Sequence, residues 1–340
     1  MFDQSLEKVV FLGLRSVASA PRALGNWIGL DGAVRAVNGG ARIVMYHETP
    51  RHHERDFERG LRYLLREFEI IPLAALVEAL RSPGPDLIHK AALTFDDGLA
   101  NNVEVAYPVL RRLRLPATFF VCPGLIDEGR WLWNHEARQR LRRLSSDVLA
   151  EICRESNVPP VIEALIERMK VLDLPSRSKV EKRIREATPA FSPTTEERHE
   201  FDLANWNDLL RLDPDIVTIG SHSLTHPILT TLDPSAMQIE IAESRRVLED
   251  KLDRPVELFA YPNGKTNPTV RACVAQHYRA AGATEVATEP GASDMQCDPH
   301  MLPRISAKWS VLKLARAMYR AAGCIDVGST TGSPARKICS

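Results

Sequence analysis

Apolar positions in this chain alternate between short unbroken runs and longer stretches spaced at three and four residues. The runs predict strands at Ala41–His47, Lys90–Phe95, Ala117–Val121, Ile216–Ile219, Val256–Ala260 and near Ala283–Ala287. Phe57, Leu61, Leu64, Leu65 and Phe68 trace the face of a helix after the first strand. Further helices are predicted over Val103–Leu113, Pro234–Leu252, Pro268–Ala281 and Ser310–Arg320, the first of them kinked or broken at Pro108. Hydrophobic strands alternating with helices indicate a parallel sheet or barrel, since crossover helices cover both of its faces.

Three segments fall outside this alternation. Residues 1–40 read as an N-terminal helical leader, with Leu6, Val9, Val10, Leu14 and Val17 at helical spacing. Between about residues 131 and 200 no strand-like run occurs. Leu141, Leu144, Val148 and Ile152, then Ile162, Leu165, Ile166 and Met169, trace two amphipathic helices, which predicts a helical insertion. Residues 321–340 are expected to be a flexible tail, with turn formers and no periodicity from Ser329 to Ser340. The main domain is therefore expected over residues 41–320.

Charge narrows the function classes. The 44 basic and 44 acidic side chains cancel, which removes the electrostatic case for a nucleic-acid binder. No apolar run approaches the ~20 residues needed to span a bilayer. The apolar stretch from Val9 to Leu14 is too short, and too close to Asp3, Glu7 and Arg15, to read as a signal peptide, so the whole chain is expected to be the mature chain. The six cysteines are scattered without a paired spacing, which predicts reduced thiols and a cytoplasmic address. The leader is expected to pack on the domain; Lys8, Arg15 and Arg22 offer only weak attraction to anionic lipid, leaving peripheral membrane association as the lesser reading.

Two sequences carry chemistry. Leu93-Thr94-Phe95-Asp96-Asp97-Gly98 ends an apolar strand in two adjacent carboxylates, costly to bury unless one holds a cation or both are hydrogen-bonded. The C-terminal ends of parallel strands are where such folds meet their ligands. Gly220-Ser221-His222-Ser223-Leu224-Thr225-His226-Pro227 follows another strand. Its histidines at i and i+4 would share one face of a helical turn, about 5–6 Å apart, as suits two ligands of one metal. Two imidazoles and one carboxylate suit zinc or another first-row divalent ion, and the second carboxylate is left free to act as a base.

These two motifs, with Phe259-Ala260-Tyr261-Pro262-Asn263-Gly264, Met45-Tyr46-His47 and Pro116-Ala117-Thr118-Phe119-Phe120-Val121, resemble the polysaccharide deacetylase family, the NodB homology domain of carbohydrate esterase family 4. The resemblance spans roughly residues 41–320. It implies a distorted (β/α) barrel of fewer than eight strands, here carrying a helical insertion. It also implies Asp97, His222 and His226 as ligands of a divalent metal ion, zinc first, with cobalt, nickel, manganese or iron as alternates. Asp96 would be the catalytic base, and the backbone N–H at Asn263 would stabilise the oxyanion. The implied function is removal of N-acetyl groups from a sugar in a polysaccharide, oligosaccharide or lipid-linked glycan precursor. Alternatives are hydrolysis of a small non-sugar amide, or an inactive carbohydrate-binding homologue.

The chain departs from the family pattern in two places. Ala260 stands where many members have an arginine that orients the base, and Arg304 in Leu302-Pro303-Arg304-Ile305 is the candidate replacement. No terminal Leu-x-His motif supplies a general acid. His47 and His300 are substitutes by residue type alone, and the plainer reading of His47 is a buried core histidine. Trp131, Trp133 and Trp206 are candidates for stacking on sugar, with packing the plainer reading for at least two of them. Asn134-His135-Glu136 is a candidate cleft lining.

Overall fold

The computed structural model describes residues 41–81, 87, 89–284, 298–318 and 324–325. The expected leader helix of residues 1–40 and most of the expected tail lie outside the described residues.

Among the described residues, ten short strands form one sheet: β1 (Ala41–Tyr46), β2 (Glu69–Ile70), β3 (Lys90–Phe95), β4 (Ala117–Val121), β5 (Val217–Ser221), β6 (Leu258–Ala260), β7 (Ala280–Ala283), β8 (Leu302–Pro303), β9 (Ile305–Ser306) and β10 (Cys324–Ile325). Parallel pairing runs β1–β3–β4–β5–β6–β7–β8. The ring closes because β9, one residue after β8, pairs in parallel with Val44 and Met45 of β1. β8 and β9 are thus two halves of one stave interrupted at Arg304, which makes this a distorted barrel of seven staves. β2 extends β3 at its N-terminal end, and β10 pairs antiparallel with Ala41 and Arg42. Cys324–Ile325, expected within the flexible tail, is therefore tied to the barrel.

Alternation along each strand sorts side chains onto two faces. Ile43, Ala92, Phe120, Leu258, Ala280 and Leu302 cluster with Leu73, Leu76 and Val77 of the helix Leu73–Arg81. Val44, Leu93, Phe119, Val217, Ile219 and Phe259 meet the outer helices in the larger core. The helix predicted over Pro268–Ala281 ends at His277, and the strand expected near Ala283–Ala287 lies at Ala280–Ala283. The small residues of β7 carry little strand propensity, and its pairing with β6 and β8 decides the register instead. Ahead of Pro108 the helix opens into a π-turn at Asn102–Ala106 and continues as Tyr107–Leu113, which accommodates the missing N–H of the proline.

Between β4 and β5 lies the insertion. It contains five helices, Trp133–Leu141, Ser146–Glu155, Ile162–Met169, Leu174–Ala187 and Thr195–Phe201, where the spacing predicted two. They close around a core of their own that includes Leu141, Ile152, Leu165, Ile166, Met169 and Ile184. Arg177 is buried against Glu181 at 2.9 Å and lies over the Trp133 ring. The insertion returns to the barrel at the end of β3: Ala100 N–H donates to Asp202 O, Ala204 N–H donates to Gly98 O, and Asn101 Nδ2 donates to the carbonyls of His199 and Glu200. One face of the insertion is thereby fixed beside the strand ends. Among the described residues no helix is long and apolar enough to cross a membrane.

Candidate active site

Past Phe95 the chain turns sharply. Asp97 and Gly98 have φ of 71° and 70°, and a Cβ at Gly98 would approach Val121 Cγ1 to 2.9 Å, so only glycine fits there. A left-handed aspartate is uncommon, and it brings both neighbouring carboxylates to the cavity side of the turn.

The loop after β5 does the same for the histidines. It is not the helical turn that the i, i+4 spacing suggested: Ser223 and His226 are left-handed, with φ of 63° and 60°. Local side chains hold this shape. Ser221 Oγ accepts from Ser223 N–H, Ser223 Oγ accepts from His226 N–H, and Glu240 accepts from both the N–H and the hydroxyl of Thr225. Burial raises the pKa of the Glu240 carboxyl, with Thr225 opposing.

Asp97 Oδ1 lies 3.5 Å from His222 Nε2 and 3.4 Å from His226 Nε2, all three residues buried. His222 Nδ1 donates to Ala260 O at 2.8 Å, which leaves its Nε2 lone pair facing Asp97. Burial opposes ionisation of Asp97, but the adjacent His222 and His226 imidazoles outweigh it and hold the carboxyl well below its usual range. Burial, aided by His222, pushes His226 down to about 3, so this imidazole is neutral. One anionic oxygen and two imidazole nitrogens lying within 4.8 Å of one another fit a divalent metal of zinc type.

Asp96 has a different environment. Arg304 Nη1 and Nη2 donate to its two oxygens at 2.7 and 2.8 Å, and both residues are nearly fully buried. Burial raises the Asp96 pKa, yet Arg304 and then His222 more than offset it, leaving the carboxyl below its ordinary range. Arg304 crosses Gly282, where a Cβ would stand 2.7 Å from its Cδ, and its guanidinium lies over the Phe120 ring.

Asp96, Asp97, His222 and His226 line a cavity of about 200 Å³ together with Asn263 and Gly264. Asn263 is left-handed, with φ of 56°. His47 lines this cavity too and is exposed, contrary to the expected core histidine, because β1 ends at Tyr46. His300 is elsewhere, bonded to Tyr278 O. Past His47 and Glu48 lies a second cavity of about 650 Å³, bordered by Trp309, Lys308 and Lys313. Trp131 and Trp206 donate to Asp202 and Asp127, and Trp133 packs in the insertion core. Asn134 and His135 border the smaller cavity, whereas Glu136 pairs with Arg140 and Arg185. Sequence reasoning missed Glu48 and Gly282. Glu48 stands just past a strand end and could have been flagged on that ground; Gly282 carries no signal outside the fold.

Residues 85–282 match the family model for polysaccharide deacetylase. Among solved structures, Streptococcus pyogenes deacetylase PplD in complex with acetate is 17% identical, with 82% of this chain and 98% of that chain covered at a TM-score of 0.53. IcaB from Ammonifex degensii is 17% identical, with 84% and 98% covered at a TM-score of 0.52. A polysaccharide deacetylase from Bacillus cereus is 16% identical, with 82% and 69% covered at a TM-score of 0.50. At these identities the likeness concerns the fold. No curated protein matches the chain.

Proposed function

We propose, for a chain that belongs to the polysaccharide deacetylase family and so to the hydrolases of amide carbon–nitrogen bonds, that its reaction is the metal-dependent removal of N-acetyl groups from sugars of a polysaccharide, oligosaccharide or lipid-linked glycan. The observation that carries this reading is the Asp97–His222–His226 cluster beside the Asp96–Arg304 pair in one cavity.

In this reading Asp97, His222 and His226 hold the metal ion, zinc first. When bound, the ion supplies Lewis-acid polarisation and a nucleophile at neutral pH. Asp96, kept ionised by Arg304, takes a proton from the attacking water on a carboxylate oxygen. Each of its oxygens spends one lone pair on the guanidinium and keeps another for that proton. The Asn263 backbone N–H is assigned to the oxyanion. His47, at the junction of the two cavities, is assigned the return of a proton to the departing amine. The adjoining cavity of about 650 Å³ favours a saccharide longer than one ring over a small amide. The buried free thiols of Cys122, Cys153 and Cys273 support a reducing, cytoplasmic address, with peripheral membrane contact as the lesser alternative.

The test is acetate release from N-acetylated oligosaccharides and lipid-linked sugars, with and without a chelator. Chelator-sensitive release from a saccharide is expected. Release only from small amides, or from nothing in the metal-loaded protein, overturns the reading.

A further inference from the structure

The insertion does more than cover the barrel. Its first helix, Trp133–Leu141, directs Asn134 and His135 at the cavity that holds Asp96 and Asp97. Asn134 Oδ1 and His135 Nδ1 are buried atoms with no hydrogen-bond partner among the described residues. A buried polar atom without a partner is unfavourable, and native structures leave few of them. Two on successive residues that both line one cavity call for a common explanation.

Their chemistry narrows what satisfies them. Asn134 Oδ1 accepts and needs an O–H or N–H donor. Burial lowers the His135 pKa, so the ring is neutral and offers one donor and one acceptor. Phe201 packs against that ring at 4.9 Å between centroids and restricts its orientation. Asp96, Asp97 and Glu48 on the same cavity wall disfavour an anionic group. A neutral polyol, whose hydroxyls both donate and accept, meets every condition.

We infer that Asn134 and His135 form a sugar-recognition site, binding hydroxyls of the pyranose that carries the acetamide and so setting which sugar the cavity accepts. This rests on the deacetylase reading for the identity of the ring, while the contact itself can be measured without turnover. The insertion thus contributes specificity to chemistry located on the barrel.

The test uses the full chain, with Asn134→Ala, His135→Ala and the rescue variant His135→Gln, each checked for an unchanged melting temperature. Two probes are compared: a β-1,4-linked N-acetylglucosamine tetramer, and 4-nitrophenyl acetate, which has no hydroxyls. Each alanine variant is expected to lose kcat/KM on the tetramer about tenfold more than on the ester, mainly through KM, with His135→Gln recovering part of it. Calorimetric titration of the tetramer should show a matching loss of affinity. Equal losses on both probes, or tetramer affinity within about twofold of wild type, overturn the inference. So does a wild-type protein that does not bind the tetramer. If the wild type binds the tetramer but releases no acetate from any probe, the deacetylase reading falls, while the affinity difference still decides the sugar contact.

Discussion

Gly282 has no side chain, and the site depends on that. A Cβ at this position in β7 would lie 2.7 Å from Arg304 Cδ and 2.8 Å from Nε. Ordinary contact between carbons is about 3.5–4.0 Å, so Gly282→Ala forces a displacement of roughly 0.8 Å. The bonds from Arg304 to Asp96 are 2.7 and 2.8 Å long. Either can lengthen by only about 0.5 Å before leaving the usual range, so at least one is lost. Overpacking costs about 1–3 kcal/mol, and stripping a buried charge of its partner about 3–5 kcal/mol. With one of the two bonds kept, only part of the second cost applies, so a net destabilisation of about 3 kcal/mol is expected, a drop of several degrees in melting temperature. Melting curves and acetate-release rates for Gly282→Ala, Arg304→Ala and the double variant form a cycle. With the arginine side chain cut back to Cβ, the added methyl has little left to displace, so the double variant should be no worse than Arg304→Ala alone. If Gly282→Ala melts and turns over like wild type, or if the two effects simply add, the steric argument fails.

Asp96→Asn should keep bound metal and lose about 10²–10⁴-fold in turnover, whereas Asp97→Asn should lose metal first; the reverse pattern in metal analysis would exchange their roles. His226→Ala should depress metal affinity strongly, and stoichiometric metal in that variant would remove it from the ligand set. Arg304 holds the Asp96 pKa down against burial, so Arg304→Met should raise it and move the acid limb of the rate profile to higher pH. In the native protein the stabilisation from this pair is present above the unfolded carboxylate pKa of ~3.9 and is lost as pH falls through the lower folded value. An acid limb that does not move in the variant would refute that origin. Ile166, fully buried in the insertion core, should cost about 2–5 kcal/mol as Ile166→Ala; amide exchange should quicken across residues 133–201 before it does in the barrel strands, and uniform acceleration would deny the insertion a separate core.

The paired carboxylates and the two histidines stood out in the sequence because apolar strands end directly before them. The barrel was legible for the same reason, since β1, β3 and β4 are mostly apolar runs buried on both faces. The histidine loop departs from the helical turn that i, i+4 spacing predicts because spacing does not reveal left-handed residues, and serine hydroxyls at Ser221 and Ser223 hold the other shape. β7 begins three residues before the strand the sequence predicts because Ala-Ala-Gly-Ala has little strand character outside its sheet. In the insertion, the helices Leu174–Ala187 and Thr195–Phe201 carry few apolar positions, and caps at Asp173 and Thr194 define their starts more clearly than periodicity does. Asn134 and His135 belong to no motif, and only the way the insertion is tied to the end of β3 brings them to the cavity.

The interrupted stave has a consequence for folding. β8 and β9 join β7 to β1, and Arg304 is the single residue between them. Until this segment docks, the ring is open and Asp96 has no guanidinium, so bringing both acids out of water is penalised at that stage. Docking closes the ring and neutralises the carboxylate in one event. The segment therefore works as an electrostatic latch: the barrel can shut only by delivering the arginine, and a chain caught open should remain wet at its centre.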